Sequence, residues 1–456
     1  MPIKKTVDIT PPPVTEAPIT TSPVIALTEA HEVRVLCVLL TIQAVVSYRS
    51  VPRILALFQQ RTSFVSNWIP HFTSVINWSL RVGLGKLKQV TPSLKPWVAI
   101  MDHSIDIGVK KAFVVLKVPL DALLERGSAI QLQDCECVGL TISEKVTGET
   151  IEAELKDIFA QAGHPVAIVK DADSTLQKGV RLWNEKQQHS VPIIDDLGHM
   201  AANALKTQFE KTSAYKRFTA LINQGAKRLR QTERAFLMPP KLRTKGRFQS
   251  ISQLGKWAEK VLDVFAVKGV AKKGSLLDKM RTAFPHLLKS RVFIERFALT
   301  TKTVADMMKI LKNDGLNEIT YKTCYQLLQQ LPRNSLVKKR LQVWLTKNLK
   351  VQKTLQDNHH LPSLSLLVSS DIIESLFGNF KHIIERSPQA DMNRSVLLIP
   401  ALCGNRNDAS ITQALNQASH RDLEEWEKKT ILSTVRKKRR DFFNKVKAKK
   451  QGNLRC

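Results

Sequence analysis

The segment that decides the predicted fold of this chain is Trp97-Val-Ala-Ile-Met-Asp-His-Ser-Ile-Asp-Ile-Gly108. Its apolar first half runs into Asp102, which predicts a buried strand ending on a carboxylate, a common place to hold a metal ion. The segment 164–171 is a second buried-strand pattern and ends on Asp171. The segment 370–377 predicts an apolar helix with Glu374 in its first turn. Asp102, Asp171 and Glu374 are therefore the candidate catalytic residues.

The composition indicates a multidomain protein with a polyanionic partner. The chain has 456 residues, more than one simple core accommodates, so two to four domains are expected. It carries 70 Lys and Arg against 40 Asp and Glu, a net charge of +30. Nucleic acid is the first candidate partner, while a ribosome-associated or merely basic protein is the alternative. A hydrophobic content of 43% excludes a simple basic tail protein.

The cysteines and apolar runs carry no sign of a zinc site or a membrane span. The six cysteines lack zinc-finger spacing, which favours a reducing compartment. No signal peptide opens the sequence, and the longest apolar run, 35–46, is interrupted by Thr41 and Gln43. That run is too short to cross a bilayer, so it predicts a core helix and no membrane partner.

The N-terminal part divides into a leader and a helical domain. Residues 1–27 are rich in Pro and Thr and predict a disordered leader. Residues 28–92 contain three helical patterns, the second opened by Ser50 as cap and the third beginning after Pro70. The third pattern puts polar side chains on its outer face: Thr73, Ser74, Asn77 and Arg81. These features predict a helix-turn-helix whose third helix enters the major groove, and an ordinary three-helix bundle is the alternative.

The next part, residues 93–204, changes to an alternating pattern. Strands are predicted at 97–102, 112–118, 137–143, 165–170 and 191–195, with helices at 149–161, at 174–187 and from Asp196. The order βββαβαβα resembles the ribonuclease-H-like fold, an α/β core with a mixed five-stranded sheet. In that fold strands one and four are neighbours. The resemblance thus implies that Asp102 and Asp171 lie close together.

The remainder is helical and strongly basic. Residues 205–365 have helical periodicity without strand signals and predict an all-α insertion. Residues 366–400 would close the catalytic core with the helix that carries Glu374. Residues 401–456 predict a basic C-terminal helix and tail, which should hold phosphates non-specifically.

Three carboxylates on strand ends and a facing helix suit phosphodiester chemistry. Cleavage and strand transfer need an activated hydroxyl and a stabilised leaving oxygen. Two divalent ions about 4 Å apart serve both needs, and hard oxygen ligands hold them. Asp102, Asp171 and Glu374 are therefore predicted to bind two Mg²⁺ ions, with Mn²⁺ as a substitute.

Together, residues 30–385 resemble a DDE transposase of bacterial insertion sequences, and the segment 70–83 resembles the recognition helix of that family. The resemblance implies binding of terminal inverted repeats, nicking of double-stranded DNA and joining of a 3′ hydroxyl to target DNA. It also implies a homodimer or higher oligomer on DNA in the cytoplasm, associated with the nucleoid.

One half of a further family motif matches this chain. Lys381 follows Glu374 by seven positions, as does a lysine that contacts phosphate in insertion-bearing members. The upstream half of that motif requires Tyr and Arg, where this chain has Leu367 and Ser370.

Each candidate residue also has a structural interpretation. Asp371 and Glu374 have the spacing of a capping box. Asp102 could close a turn, with Asp106 as a weaker competitor for its role. Asp171 could cap the helix beginning near Ser174, and Asp173 competes with it as the second ligand.

The pair Asp196 and His199 follows the fifth predicted strand. It would either form a polar pair near the metal ions or serve as an N-cap with an exposed histidine in the first turn. Two alternative functions remain at this point. One is a non-catalytic helix-turn-helix regulator, and the other is a ribonuclease-H-like nuclease that acts on branched or hybrid substrates.

Overall fold

A computed structural model describes residues 26–27, 30–62, 65–66, 68–107, 110–241, 248, 251–384, 393–431 and 434–452. The predicted leader lies almost entirely outside these residues. Its last two residues, Ala26–Leu27, pair in parallel with Val65–Ser66. Among the described helices, none is long and apolar enough to cross a lipid bilayer.

The N-terminal helices form where the periodicity predicts them: α1 (Ala30–Ile42), α2 (Ser50–Arg61) and α3 (Phe72–Lys88). The prediction that Ser50 caps α2 is wrong. Arg49 occupies the N-cap position without a side-chain hydrogen bond, and Ser50 is the first helical residue. The Ser50 hydroxyl lies 2.8 Å from the Ser47 hydroxyl instead.

The sheet has five strands: β1 (Trp97–Ile107), β2 (Lys110–Pro119), β3 (Glu136–Ser143), β4 (Ala167–Lys170) and β5 (Ile193–Asp195). Their spatial order is β3-β2-β1-β4-β5. β2 is antiparallel to both of its neighbours, whereas β4 is parallel to β1 and to β5. This mixed sheet, with strands one and four adjacent, is compatible with the predicted ribonuclease-H-like core.

β1 is longer than the sequence indicates. The prediction that it ends at Asp102 is wrong, because its backbone continues to Ile107 in a hairpin with β2. Its pairing with β4, however, stops at Met101 opposite Lys170. Asp102 and Asp171 therefore each follow the last paired residue of neighbouring parallel strands, which lie about 4.8 Å apart.

The two faces of the sheet contact different helices. One face packs its odd-numbered β1 residues, including Trp97 and Met101, against α5 (Gly148–Ala162) and α6 (Ser174–Glu185). The short α4 (Leu120–Arg126) follows β2. Val98 and Ile100 of β1 point to the opposite face and its larger core. Since side chains alternate along a strand, Asp102 belongs to that second face.

After the sheet, the described residues up to 370 form helices joined by turns and loops. An isolated bridge also joins Leu316 and Leu366. Its helices are α7 (Leu197–Phe209), α8 (Ser213–Leu229), α9 (Ile251–Ala266), α10 (Leu276–Ala283), α11 (Arg291–Asp314), α12 (Glu318–Gln329) and α13 (Leu336–His359). α7 packs against α13, which anchors these helices to the sheet.

The C-terminal helices are α14 (Asp371–Ile384), α15 (Leu398–Ala401), α16 (Asp408–Gln417), α17 (His420–Thr430) and α18 (Val435–Gly452). α3 packs against α15, α16 and α17 as well as against α1. A Cβ atom added at Gly85 would lie 2.0 Å from the Ala414 carbonyl oxygen, so the backbones of α3 and α16 approach closely. The N-terminal and C-terminal helices thus form one packed unit.

Candidate active site

The site begins where the pairing between β1 and β4 stops, after Met101 and Lys170. Asp102 is 9% exposed and lies on the face of the sheet against which α14 packs. Asp171 follows β4 directly, and one of its carboxylate oxygens accepts a hydrogen bond from the Ala172 amide. Burial is the main cause that raises the pKa of Asp171 above its ordinary value.

His199 lies between two of the site's carboxylates. Its Nδ1 atom is 3.1 Å from Asp171 Oδ1 and 3.1 Å from Asp196 Oδ2. Burial lowers the pKa of His199, but the hydrogen bond with Asp196 and the charges of Asp171, Asp196 and Asp102 outweigh it and raise the pKa to about 9. The imidazole is therefore protonated at neutral pH, and it compensates the negative charge of the site.

Asp196 connects the elements that carry the candidate residues. It is 2% exposed and caps α7, since its Oδ2 accepts from the His199 amide at 2.8 Å. Its Oδ1 accepts from the Ser370 amide at 2.7 Å, immediately before α14. Its own amide donates to the Lys170 carbonyl at 2.8 Å. The predicted N-cap is confirmed, and His199 is half-buried and paired with this cap instead of exposed.

Glu374 lies on α14 and interacts electrostatically with His199. Partial desolvation is the largest cause that raises its pKa, followed by the charge of Asp371, while His199 opposes the rise. The capping-box alternative does not form, because the Asp371 amide donates to Ser369 Oγ at 3.3 Å. The Asp371 carboxylate is ion-paired with Lys312.

Asp173 and Asp106 are the alternatives to Asp171 and Asp102 as candidate ligands. Asp173 caps α6, and its Oδ1 accepts from the amides of Thr175 at 2.9 Å and Leu176 at 3.1 Å. Asp171, and not Asp173, contacts His199. The side chain of Asp106 lies outside the described residues.

The donor types of the site match those that a divalent cation prefers, although the described side chains are not arranged as a metal site. Asp102, Asp171 and Glu374 offer carboxylate oxygens, the hard ligands that Mg²⁺ and Mn²⁺ prefer. In the described residues no group of three or more His, Cys, Asp or Glu side chains has an arrangement that holds a metal ion. The positions of Asp171 and Asp196 fit the protonated His199 between them.

Lys170 is a residue of the site that the sequence analysis did not single out. It ends β4 and is 1% exposed. Its Nζ atom donates to Asp195 Oδ1 at 2.6 Å and to the Asp171 carbonyl at 3.2 Å. A lysine at the end of an otherwise apolar strand was the available signal. Its ion pair holds the ends of β4 and β5 together beneath Asp171.

The residues predicted to contact DNA from α3 have different environments. Thr73 is exposed and Ser74 is half-buried. Asn77 Oδ1 accepts from Arg394 at 3.4 Å. The prediction that Arg81 faces outward is wrong, because its guanidinium donates to the carbonyls of Ala418 at 2.6 Å and Leu415 at 2.7 Å. α16 and α17 pack on that side of α3.

Lys381 is exposed on α14, seven residues after Glu374. Seven residues are close to two turns of an α-helix, so both side chains project from the same face. A phosphate beside the carboxylates could therefore meet this ammonium group.

Comparisons with known proteins returned one solved structure of note. No protein-family model and no curated protein matches the sequence. The chain is similar to the Drosophila P element transposase in its strand transfer complex, with a TM-score of 0.42 and 12% sequence identity over 82% of this chain and 91% of that chain. A similarity at this level carries no functional assignment.

Proposed function

We propose that this protein is a DDE transposase, which binds the ends of a mobile element in double-stranded DNA and catalyses metal-dependent cleavage and strand transfer. One observation carries the proposal. Asp102, Asp171 and Glu374, which are widely separated in sequence, all interact electrostatically with His199 at the end of a sheet with ribonuclease-H-like strand order. Asp171 and Glu374 have raised pKa values, and perturbed carboxylates that lie close together are typical of functional sites.

Each candidate residue has a role in this proposal. Asp102, Asp171 and Glu374 would hold two Mg²⁺ ions, or Mn²⁺ as a substitute. Bound ions of this kind polarise the scissile phosphate and stabilise both the attacking and the leaving oxygen. His199 compensates the charge of Asp171 when no cation is bound. Lys381 would position a phosphate of the DNA.

The partner follows from charge and exposure. A net charge of +30 favours a nucleic acid, and binding should weaken steeply with salt because phosphate contacts release counterions. On α3, Thr73, Ser74 and Asn77 remain the candidate contacts to the element ends. The proposed DNA complex contains at least two copies of the chain, one for each element end.

The experiment that tests the proposal is nicking and strand transfer in Mg²⁺ or Mn²⁺. Substrates are supercoiled plasmid and labelled duplexes taken from the DNA that flanks the gene. Native protein is compared with Glu374→Gln and with Glu318→Gln. Glu318 is a matched control, because it lies in the first turn of α12 and pairs with a lysine as an ordinary surface glutamate.

The proposal expects joined products with native protein and with Glu318→Gln, and loss of products with Glu374→Gln while DNA binding persists. Nicks without joined products would instead identify a ribonuclease-H-like nuclease. DNA binding without any cleavage would favour a non-catalytic regulator. Full activity of Glu374→Gln would remove this residue from the catalytic set.

A further inference from the structure

The C-terminal helix α18 exposes two aromatic rings to solvent. Phe442 is 62% exposed and Phe443 is 56% exposed. Their ring centroids lie 5.5 Å apart at an interplanar angle of 77°. Two adjacent, largely exposed phenylalanines are costly to leave in water, so this surface is a candidate interface.

Cationic side chains surround the two rings. The preceding residues Lys437-Lys-Arg-Arg440 are all exposed, and Asp441 is the single acid between 435 and 452. Arg439 and Arg440 lie one helical turn before the rings, and Val446 lies one turn after them. Residues three or four apart share a helix face, so guanidinium groups and phenyl rings form one continuous surface. We call the side chains of Lys438, Arg439, Arg440, Phe442, Phe443 and Val446 the aromatic-basic face.

The aromatic-basic face begins where Lys438 contacts the residue after β3. Lys438 Nζ lies 2.9 Å from Glu144 Oε1, and Glu144 directly follows the last residue of β3. Through Val114 of β2, Asp102 is in register with Leu140 of β3, so Glu144 lies four residues, about 13 Å, further along the strand direction than Asp102. The two strands are about 10 Å apart laterally, at two strand spacings. A polyanion that leads away from Asp102 must therefore extend over about 16 Å to reach α18.

We propose that the aromatic-basic face binds single-stranded DNA that extends from the active site. The lysines and arginines fit phosphates, and the rings fit the open faces of unpaired bases, which stack on aromatic side chains. In a duplex the bases are already stacked, so duplex DNA would use the charges but not the rings. A second copy of the same helix would bring like charges together. The inference rests on the proposed function for its choice of nucleic acid as ligand.

The experiment measures fluorescence anisotropy of the full chain with labelled single-stranded and duplex oligonucleotides of equal length. EDTA is present to prevent cleavage, and salt is varied. The variants are Phe442→Ala/Phe443→Ala and Arg439→Gln/Arg440→Gln. Phe236→Ala is the control, because Phe236 is 71% exposed elsewhere on the molecule. Quenching of a 2-aminopurine base in the single strand reports stacking directly.

The aromatic variant should lose about tenfold or more in affinity for single-stranded DNA, with an unchanged salt dependence. Its duplex affinity and the behaviour of Phe236→Ala should match native protein. The arginine variant should bind both DNAs more weakly and reduce the single-strand salt slope by about 1.4, since each lost phosphate contact contributes roughly 0.7.

Native single-strand affinity and quenching in the aromatic variant would overturn the inference. So would an equal loss for both DNAs, because it would not involve unpaired bases. Loss of binding to phosphatidylserine vesicles alone would assign the face to a lipid surface, and loss of self-association alone would assign it to a second copy. These measurements need no catalysis. The nicking experiment can therefore contradict the proposed function while single-strand binding is confirmed, and single-strand binding can be absent while nicking and joining are observed.

Discussion

His199 Nδ1 lies 3.1 Å from Asp171 Oδ1, so a protonated histidine contacts the carboxylate that follows strand β4. The same nitrogen is 3.1 Å from Asp196 Oδ2. A cation that belongs to the chain therefore offsets part of the negative charge of the site. Any divalent ion that binds Asp171 must compete with this ion pair or share the carboxylate with it.

His199 should make stability depend on pH in metal-free buffer. Its pKa is raised from 6.5 to about 9 in the folded protein. Its stabilising contribution is therefore complete below about pH 6.5 and is lost as pH rises through about 9. We expect native protein to lose about 1–3 kcal/mol of unfolding free energy over this window. Urea denaturation with EDTA at pH 6, 7.5 and 9 measures it.

The His199→Gln variant should lack this loss, whereas His189→Gln, at an exposed position, should retain it. An identical pH slope in native protein and His199→Gln would show that the ion pair does not contribute.

Asp196 should matter more to stability than an ordinary cap. Asp196→Ala removes the α7 cap, leaves the Ser370 amide without its acceptor and removes one of the two carboxylates that contact His199 Nδ1. A lost cap costs about 1 kcal/mol, the unsatisfied Ser370 amide adds roughly 1–3 kcal/mol, and the weakened contact of His199 adds up to about 1 kcal/mol. We expect a total of about 2–5 kcal/mol by urea denaturation.

Asp173→Ala is the matched control for that variant. It removes the α6 cap and should cost about 1 kcal/mol. Equal costs for both variants would mean that the links from Asp196 to Ser370 and His199 are energetically neutral.

Divalent cations should stabilise the folded protein through the three carboxylates. Binding to the native state alone adds about 1.4 kcal/mol at a free concentration of ten times Kd. We expect Mg²⁺ and Mn²⁺ to raise Tm and to give saturable heats in isothermal titration calorimetry. Asp102→Asn and Asp171→Asn should abolish both effects, and Glu318→Gln should leave them intact. Saturable binding that persists in both aspartate variants would locate the ions elsewhere.

The contact between α3 and α16 should tolerate no side chain at Gly85. A Cβ atom there would lie 2.0 Å from the Ala414 carbonyl oxygen, so Gly85→Ala must separate the two helices. Such overpacking costs about 1–3 kcal/mol or more. Gly378→Ala is the control in α14, where no atom lies within 4 Å of the added carbon. It should stabilise the protein by about 0.5–1 kcal/mol, because alanine favours helices. Equal effects in thermal denaturation would contradict the packing of α3.

Local periodicity was sufficient to predict the strands and most of the helices near the site. A buried strand needs only a short apolar run, and a helix shows its own apolar stripe, so both can be read within one segment. The order of elements then made Asp102 and Asp171 neighbours once β1 and β4 were paired. The choice between Asp171 and Asp173 could not be made in this way, because both follow the same strand by a few residues.

The decisive contacts of the site join segments that periodicity treats separately. The Asp196 carboxylate and the Ser370 amide are 174 positions apart, and Arg81 and the Ala418 carbonyl are 337 apart. A helical pattern shows which face of a helix is polar, and it does not show whether water, DNA or another carbonyl group will contact that face. The sequence alone established the strands, the carboxylates and the basic charge. Tertiary packing decided that His199 lies among the carboxylates and that Arg81 is used within the fold, since both depend on partners from distant segments.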